Sequence, residues 1–419
     1  MRASGLRRRV FGLAAALALL AGSGVAAADT AGSGLRWTGA WAASPQQANP
    51  PIFEPDWSQA GFADQSVRQI VRLSTGGPTV RIRLSNAYGK APLRLAGATV
   101  ARAGTGAAVQ PGSVRHLTFG HQRAAEIPAG GELASDPALL WTAPLERLAV
   151  TLYFAEPTGP ATYHWFASAT SYRAAGDHRA DPEATAFTET TRSWYYLAGV
   201  DVGGVLPQDA VVAFGDSITD GAGSTVDADN RYPDDLAERL AAAGRPRGVL
   251  NEGIGGNRVL NDSPCFGERA TKRFQRDALD QPGVRTVIVL EGINDIGASD
   301  RGEFECFTPR PEVTAAQLIA GHRELIAQAR SRGLKVIGAT LLPYKGAMYY
   351  SERGEAVRDE VNSWIRTSGE YDAVVDLDRA TADPADPDTL RPAYDSGDHL
   401  HPNDAGYHAM AEAFDLSAL

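Results

Sequence analysis

The residues best equipped to do chemistry lie in four short motifs of the second half of the chain. Val211-Val212-Ala213-Phe214 runs directly into Gly215-Asp216-Ser217. An apolar run of this length, bounded by turn residues, reads as a buried parallel strand, and the Gly-Asp after it suits a sharp turn. Ligands in open α/β sheets bind beyond the carboxyl ends of the strands, so Ser217 stands where a serine nucleophile is placed. Alone, Gly-Asp-Ser suits an ordinary strand-to-helix turn with Ser217 as N-cap equally well. The other motifs are Asn251-Glu252-Gly253-Ile254-Gly255-Gly256-Asn257, Glu291-Gly292-Ile293-Asn294-Asp295 and Asp395-Ser396-Gly397-Asp398-His399-Leu400-His401-Pro402. Each follows a strand candidate. A doubly wound sheet delivers all four to one edge, and that shared placement favours the catalytic reading.

The elements that must position them alternate. Strand candidates at 211–214, 248–252, 286–291, 335–341 and 373–377 are separated by helical patterns near 234–243, 268–280, 314–332 and 355–367, and a last helix near 404–415 closes the chain. In the 314–332 segment Leu318, Leu325 and Ala329 form one stripe, with Ile319 and Ile326 beside it. Strands alternating with helices imply an α/β fold, a flavodoxin-like parallel sheet with helices on both faces. The region from Trp37 to about Tyr196 differs. Ser66–Leu73, Val80–Leu84, Leu93–Ala96 and Leu148–Phe154 alternate or run apolar between Gly and Pro turns. This predicts an all-β, sandwich-like domain. The expected division is a signal peptide at 1–28, a leader at 29–36, a β-sandwich domain at 37–200, a linker at 201–209 holding Gly203-Gly204 and Pro207, and the α/β domain at 210–419.

Composition narrows the class. A chain of 419 residues is long for one domain, and 43% hydrophobic with 21% charged residues is that of a soluble globular protein. The net charge is -10, and no Lys/Arg block follows the first ten residues, which argues against nucleic acid or an anionic membrane as partner. Arg7-Arg8-Arg9, the apolar Phe11 to Leu20 and Ala26-Ala27-Ala28 read as a secretory signal with an A-x-A cleavage site. Arg8-Arg9-Val10-Phe11 also fits a twin-arginine signal, so export through either the Sec or the Tat route is expected. The apolar stretch is too short to span a bilayer, and no other is longer, so a secreted protein without stable membrane insertion is expected. Cys265 and Cys306 are the only cysteines. Export makes them a disulfide, which in the loop-entropy model contributes about 4 kcal/mol for a loop of about 40 residues.

The four motifs resemble the signature blocks of the SGNH, or GDSL, hydrolase family. Gly215-Asp216-Ser217-Ile218 matches the nucleophile block, with Ile218 where Leu is usual. Gly256 falls in the glycine block, Gly292-Ile293-Asn294-Asp295 in the asparagine block and Asp398-His399-Leu400-His401 in the Asp-x-x-His block. The match spans residues 210–416. With the opening Trp37-Thr38-Gly39-Ala40-Trp41-Ala42-Ala43-Ser44-Pro45, the layout resembles the two-domain secreted actinobacterial branch grouped with xylanase-associated esterases. The resemblance implies the SGNH hydrolase fold and ester hydrolysis. Ser217 becomes the nucleophile, His401 its base and Asp398 the group that holds the imidazole tautomer. The oxyanion donors become the backbone N–H of Ser217, the backbone N–H of Gly256 and the side-chain amide of Asn294. A Gly-x-Ser-x-Gly elbow is absent, which argues against the α/β-hydrolase fold.

Other readings of the same residues are open. His399 and His401 with Asp395, Asp398 and Asp404 have the residue types of a metal cluster, but Ser217, Gly256 and Asn294 in their expected places favour a site without metal or cofactor. His399 reads as a pocket or surface residue, Asp216 and Asp295 as turn and cap residues. Asp220 and Tyr232 are candidates for the acyl pocket, Tyr232 equally for core. His322 reads as a solvated helix residue, while His164 and His178 have no evident partner. Trp37, Trp41, Trp57, Trp141, Trp165 and Trp194 are placed in the core or at the domain interface in preference to a sugar-stacking role. The expected activity is hydrolysis of a carboxylic ester of a polysaccharide or a small molecule. A lipase or phospholipase is the rival within the class, and a non-catalytic glycan-binding protein the rival outside it.

Overall fold

The apolar run that precedes Ser217 is the second strand of a five-stranded parallel sheet. The computed structural model describes Met1, residues 34–204 and residues 208–419; the predicted signal peptide, most of the leader and residues 205–207 of the linker lie outside the described residues. The sheet consists of β1 (Ala210–Gly215), β2 (Gly248–Gly253), β3 (Val284–Leu290), β4 (Lys335–Ala339) and β5 (Ala373–Val375) in the order β2-β1-β3-β4-β5. Every neighbouring pair is parallel. This is the flavodoxin-like order, whose switch point between β1 and β3 places ligands at their carboxyl ends. Strand β1 is apolar along its whole length because helices cover both faces, so nothing alternates.

Helices α1 (Ser217–Asp220), α2 (Tyr232–Ala242), α3 (Ala270–Phe274), α4 (Ile293–Ala298), α5 (Ala315–Ser331), α6 (Glu352–Thr367), α7 (Leu377–Thr381) and α8 (Asp404–Glu412) connect or flank the strands. Helix α5 starts at a Thr314/Gln317 capping box, and its predicted stripe of Leu318, Leu325 and Ala329 is buried. The segment predicted as one helix over 268–280 is α3 followed by a single π turn, Gln275–Leu279. The short α1, α4 and α7 have no periodic signal, since a helix of four to six residues completes barely one turn of the period.

Residues 36–204 form two large antiparallel sheets and two small two-stranded ones, Leu93–Leu95 with Ala125–Ile127 and Tyr163–His164 with Trp194–Tyr195. One large sheet, five-stranded, runs Arg36–Ala42, Leu197–Gly204, Gly77–Ser85 and Glu132–Ala134, with Ala138–Thr142 also paired to Gly77–Ser85. The other is six-stranded, with Gln65–Arg72, Arg147–Phe154 and Gly97–Arg102 at its centre. Val67, Val71, Val80, Ile82, Leu148, Val150, Val200 and Val202 interdigitate between them. The expected linker at 201–209 does not begin at residue 201. Residues 201–204 are the end of the Leu197–Gly204 strand, and Asp201 pairs with Arg81 and Arg83 on the adjacent strand. Gly203-Gly204 suggested a connection, whereas Gly203 is where the Trp37 ring and the Thr79 hydroxyl leave no room for a Cβ.

Residues 35–419 form a single compact unit. The strand Arg36–Ala42 lies against β2, the edge of the parallel sheet. Gly39 N–H donates to the Pro282 carbonyl (2.8 Å), and Val249 N–H to Ser74 Oγ (2.8 Å). An edge that would template aggregation is thereby covered. Trp165 packs on both hydrophobic cores. Trp41, Trp57 and Trp194 are buried as expected, whereas Trp141 is 68% exposed. No helix among the described residues is long and apolar enough to cross a membrane.

Cys265 and Cys306 are joined by a disulfide across 41 residues. Their double replacement by serine is expected to lower unfolding free energy by about 2–4 kcal/mol. Urea denaturation with and without reductant checks this; coincident midpoints would deny the bridge a stabilising role.

Candidate active site

Strand β1 must end in a residue without a side chain. A Cβ on Gly215 would lie 2.6 Å from the Leu290 carbonyl oxygen of β3 and collide with Thr219. Asp216 then caps α1, its Oδ1 accepting from Ile218 N–H at 3.0 Å. The N-cap is therefore Asp216, and Ser217 is the first helical residue, with its hydroxyl free to face His401. The distance from Ser217 Oγ to His401 Nε2 is 2.8 Å.

His401 is delivered by the loop before α8. Its Nδ1 is 2.5 Å from Asp398 Oδ2, while Asp398 Oδ1 accepts from the backbone N–H groups of Leu400 (2.9 Å) and His401 (2.8 Å). The carboxylate thus turns back on its own chain. Partial burial works against its charge, but the hydrogen bonds and charge of His401 and the two N–H donors prevail, and Asp398 is held far below the ordinary carboxylate range. His399 does not compete for it: its Nδ1 meets Asp395 Oδ2 at 2.6 Å, and its ring is half exposed at the rim against Gly346. The two histidines take different carboxylates, and Asp404 bonds Thr225 N–H and Asn230. Among the described residues, no group of three or more His, Cys, Asp or Glu is arranged to hold a metal.

Strand β2 ends in a turn, Ile254 to Asn257, closed by Asn257 N–H to the Ile254 carbonyl at 3.0 Å. Gly256 has φ +76°, as the third position of a type II turn requires, and a Cβ there would strike the Phe266 ring. Asn294 sits in the first turn of α4, buried. Its Nδ2 donates to the Asn257 carbonyl at 3.0 Å, which leaves its second N–H uncommitted, and its Oδ1 accepts from the Tyr349 hydroxyl at 3.2 Å. Asp295 accepts from Val259 N–H (2.7 Å) and Leu260 N–H (3.0 Å), which ties the asparagine block to the glycine block. Burial raises Asp295 to about 6 and Asp216 to about 7. Both act as cap and turn residues, as expected.

Several expectations about individual residues are corrected. Asp220 does not line an open pocket: it is buried, bonded to His164 and to Gly255 N–H. Of the two readings of Tyr232 the core one holds: it is stacked on Phe414 and bonded to Thr219. His322 is not solvated; it is fully buried, its Nδ1 lies 2.6 Å from the Tyr371 hydroxyl, and burial lowers its pKa to about 4. His178 pairs with Asp181 (2.7 Å). Two site residues have no sequence signal. Tyr349 lies in a loop without pattern. Arg273 lies buried in α3, reaching the Gly215 carbonyl (2.8 Å) and Asn257 Oδ1 (2.8 Å), while a basic residue in a helix ordinarily reads as a solvated one.

Residues 213–409 match the sequence profile described as the GDSL-like Lipase/Acylhydrolase family. No curated protein matches the chain. Among solved structures, the chain is similar to a putative lipolytic protein of the G-D-S-L family from Desulfitobacterium hafniense, with 21% identity and TM-score 0.36, covering 49% of this chain and 97% of that one. It is similar to a putative acylhydrolase from Bacteroides fragilis, with 19% identity and TM-score 0.38 over 51% of this chain and 90% of that one. A variant of Axe2, an acetyl xylan esterase from Geobacillus stearothermophilus, gives 23% identity and TM-score 0.39 over 50% and 93%. Through the profile match at residues 213–409, and with the parallel sheet and four motifs described above, the chain carries a domain of the GDSL-like lipase/acylhydrolase family.

Proposed function

We propose that the protein is a secreted serine esterase that hydrolyses carboxylic esters of carbohydrate or short acyl chains. The observation that carries this reading is the hydrogen-bonded line from Asp398 through His401 to Ser217 Oγ. In the first step Ser217 Oγ attacks the ester carbonyl carbon while His401 Nε2 takes its proton. The developing oxyanion receives the N–H of Ser217, the N–H of Gly256 and the free amide N–H of Asn294. Collapse breaks the bond to the alcohol, which leaves with the proton from His401. Water then attacks the acyl-serine with His401 again as base, and the acid departs. Asp398 keeps Nδ1 protonated, so that Nε2 faces Ser217 with its lone pair.

Export is supported by Arg7-Arg8-Arg9, the apolar Phe11 to Leu20 and Ala26-Ala27-Ala28. The Cys265–Cys306 disulfide suits an oxidising compartment. A p-nitrophenyl ester series from C2 to C16 tests the reading. Hydrolysis strongest on the short acyl chains is expected. A maximum at the long chains replaces it with the lipase reading, and no hydrolysis of any member contradicts it.

A further inference from the structure

A buried hydrogen-bond chain crosses from the sandwich to the catalytic face. His164 ends the short strand Tyr163–His164. Its Nδ1 lies 2.9 Å from the Ser44 carbonyl oxygen, and its Nε2 lies 3.0 Å from Asp220 Oδ1 and 3.1 Å from the Phe166 carbonyl oxygen. Every one of these partners is an acceptor. A neutral imidazole carries one N–H, so only the doubly protonated ring satisfies both nitrogens. His164 is therefore a buried cation paired with Asp220. Burial alone would lower its pKa, but the Asp220 charge and the hydrogen bonds outweigh that, and the pKa is raised.

Asp220 ends α1, the helix that begins with Ser217. Its second oxygen, Oδ2, accepts from Gly255 N–H at 2.9 Å, and Gly255 directly precedes Gly256. One carboxylate thus holds the nucleophile helix and the oxyanion turn together, and a residue of the sandwich holds that carboxylate. Two further sandwich residues brace the same loop. Ser44 Oγ meets Glu252 Oε2 at 2.6 Å on β2 and accepts from Arg273 Nη1 at 3.1 Å, and Arg273 also reaches the Gly215 carbonyl. The indole of Trp165 leaves a Cβ on Gly255 only 2.7 Å of room.

We propose that His164 is a positioning residue: acting through Asp220, it sets the Gly256 N–H relative to Ser217, so the sandwich completes the oxyanion hole instead of serving as a detachable binding module. This rests on the ester-hydrolysis reading. The physical ground is that oxyanion donors act only when held about 2.7–3.1 Å from the developing charge, and that a misplacement of about 1 Å can cost about 10²-fold in rate. A purely structural ion pair would affect folding but not the kcat of the folded enzyme.

The test uses the full chain with His164→Gln, Asp220→Asn, the double variant, and Tyr88→Phe as control. Tyr88 also bridges sandwich and α/β domain, through Glu268 (2.9 Å), but bonds neither α1 nor Gly255. kcat and KM for p-nitrophenyl acetate are measured well below each melting temperature, with amide hydrogen exchange of the 253–257 segment. His164→Gln is expected to lower kcat about tenfold or more. KM should stay within about twofold, because the ground-state ester does not use the displaced donor. The double variant should be no worse than the more damaging single one. Exchange at Gly255 should rise, and Tyr88→Phe should leave kcat and that exchange unchanged. Equal kcat for His164→Gln and Tyr88→Phe, or undisturbed exchange at Gly255, overturns the inference. Should His164→Gln fail to fold, Asp220→Asn carries both readouts alone. Should the wild type hydrolyse no ester, the esterase reading fails and the oxyanion role with it, while the exchange data still decide whether His164 holds the Gly255 turn through Asp220.

Discussion

His401→Ala is expected to lower kcat on p-nitrophenyl acetate by about 10⁴-fold or more. The Ser217 hydroxyl is a weak nucleophile, and His401 Nε2, 2.8 Å away, is the group placed to take its proton. The loss should fall on kcat and kcat/KM alike, because the proton moves only on the way to the transition state. The fold should be little affected. The His401 side chain is partly exposed and belongs to neither hydrophobic core, so its removal leaves both cores intact. Steady-state kinetics with circular dichroism melting check both halves. A variant that melts normally and keeps a tenth of wild-type kcat would remove His401 from the mechanism.

Asn294→Ala is the second large effect, an expected loss of about 10²–10³-fold in kcat, or about 3–4 kcal/mol of transition-state stabilisation, with KM close to wild type. Its amide is fixed at both ends. Nδ2 donates one hydrogen to the Asn257 carbonyl, and Oδ1 accepts from Tyr349. The remaining N–H can only point away from these two partners. Asn294→Asp should be as damaging as Ala, since a carboxylate at that place has no N–H and repels the developing charge. Tyr349→Phe removes only the hydroxyl that orients the amide, and a smaller loss of about tenfold is expected. Asn294→Ala at wild-type kcat would mean the oxyanion is stabilised elsewhere.

Much of this site was legible before the fold was. The apolar β1 running into Gly-Asp-Ser, the glycines after β2 and the Asp-x-x-His spacing each reflect local backbone demands that leave marks in sequence. Gly215 and Gly256 are glycines because a Cβ has no room there, and Asp398 reaches His401 because three residues suffice for the chain to turn back. The parallel sheet was equally legible, since strands buried on both faces read as apolar runs.

What was not legible depends on contacts distant in sequence. His164 and Asp220 lie 56 residues apart, and Asn294 and Tyr349 lie 55 apart. Neither pair has a spacing rule. A histidine in an amphipathic helix reads as solvated, yet His322 meets Tyr371 from beyond the next strand. Nearness to Ser217 in sequence suggests the pocket for Asp220 and leaves Tyr232 open between pocket and core. One is instead drawn into the bond with His164, the other into the core against Phe414. Gly203-Gly204 resembles a flexible joint and so suggests a linker, whereas a glycine in a strand also admits a closely packed neighbour.

The most direct test of the central claim is covalent labelling. An alkyl fluorophosphonate attacked by an activated serine loses fluoride and leaves a phosphonyl group on the hydroxyl oxygen. Intact-mass and peptide mass spectrometry of the treated protein should show one adduct per chain, on the peptide holding Ser217, with esterase activity lost in step with labelling. Ser217→Ala should take up no label and hydrolyse no ester. An adduct on another residue, or a Ser217→Ala protein that still turns over p-nitrophenyl acetate, would contradict the assignment of Ser217 as the nucleophile.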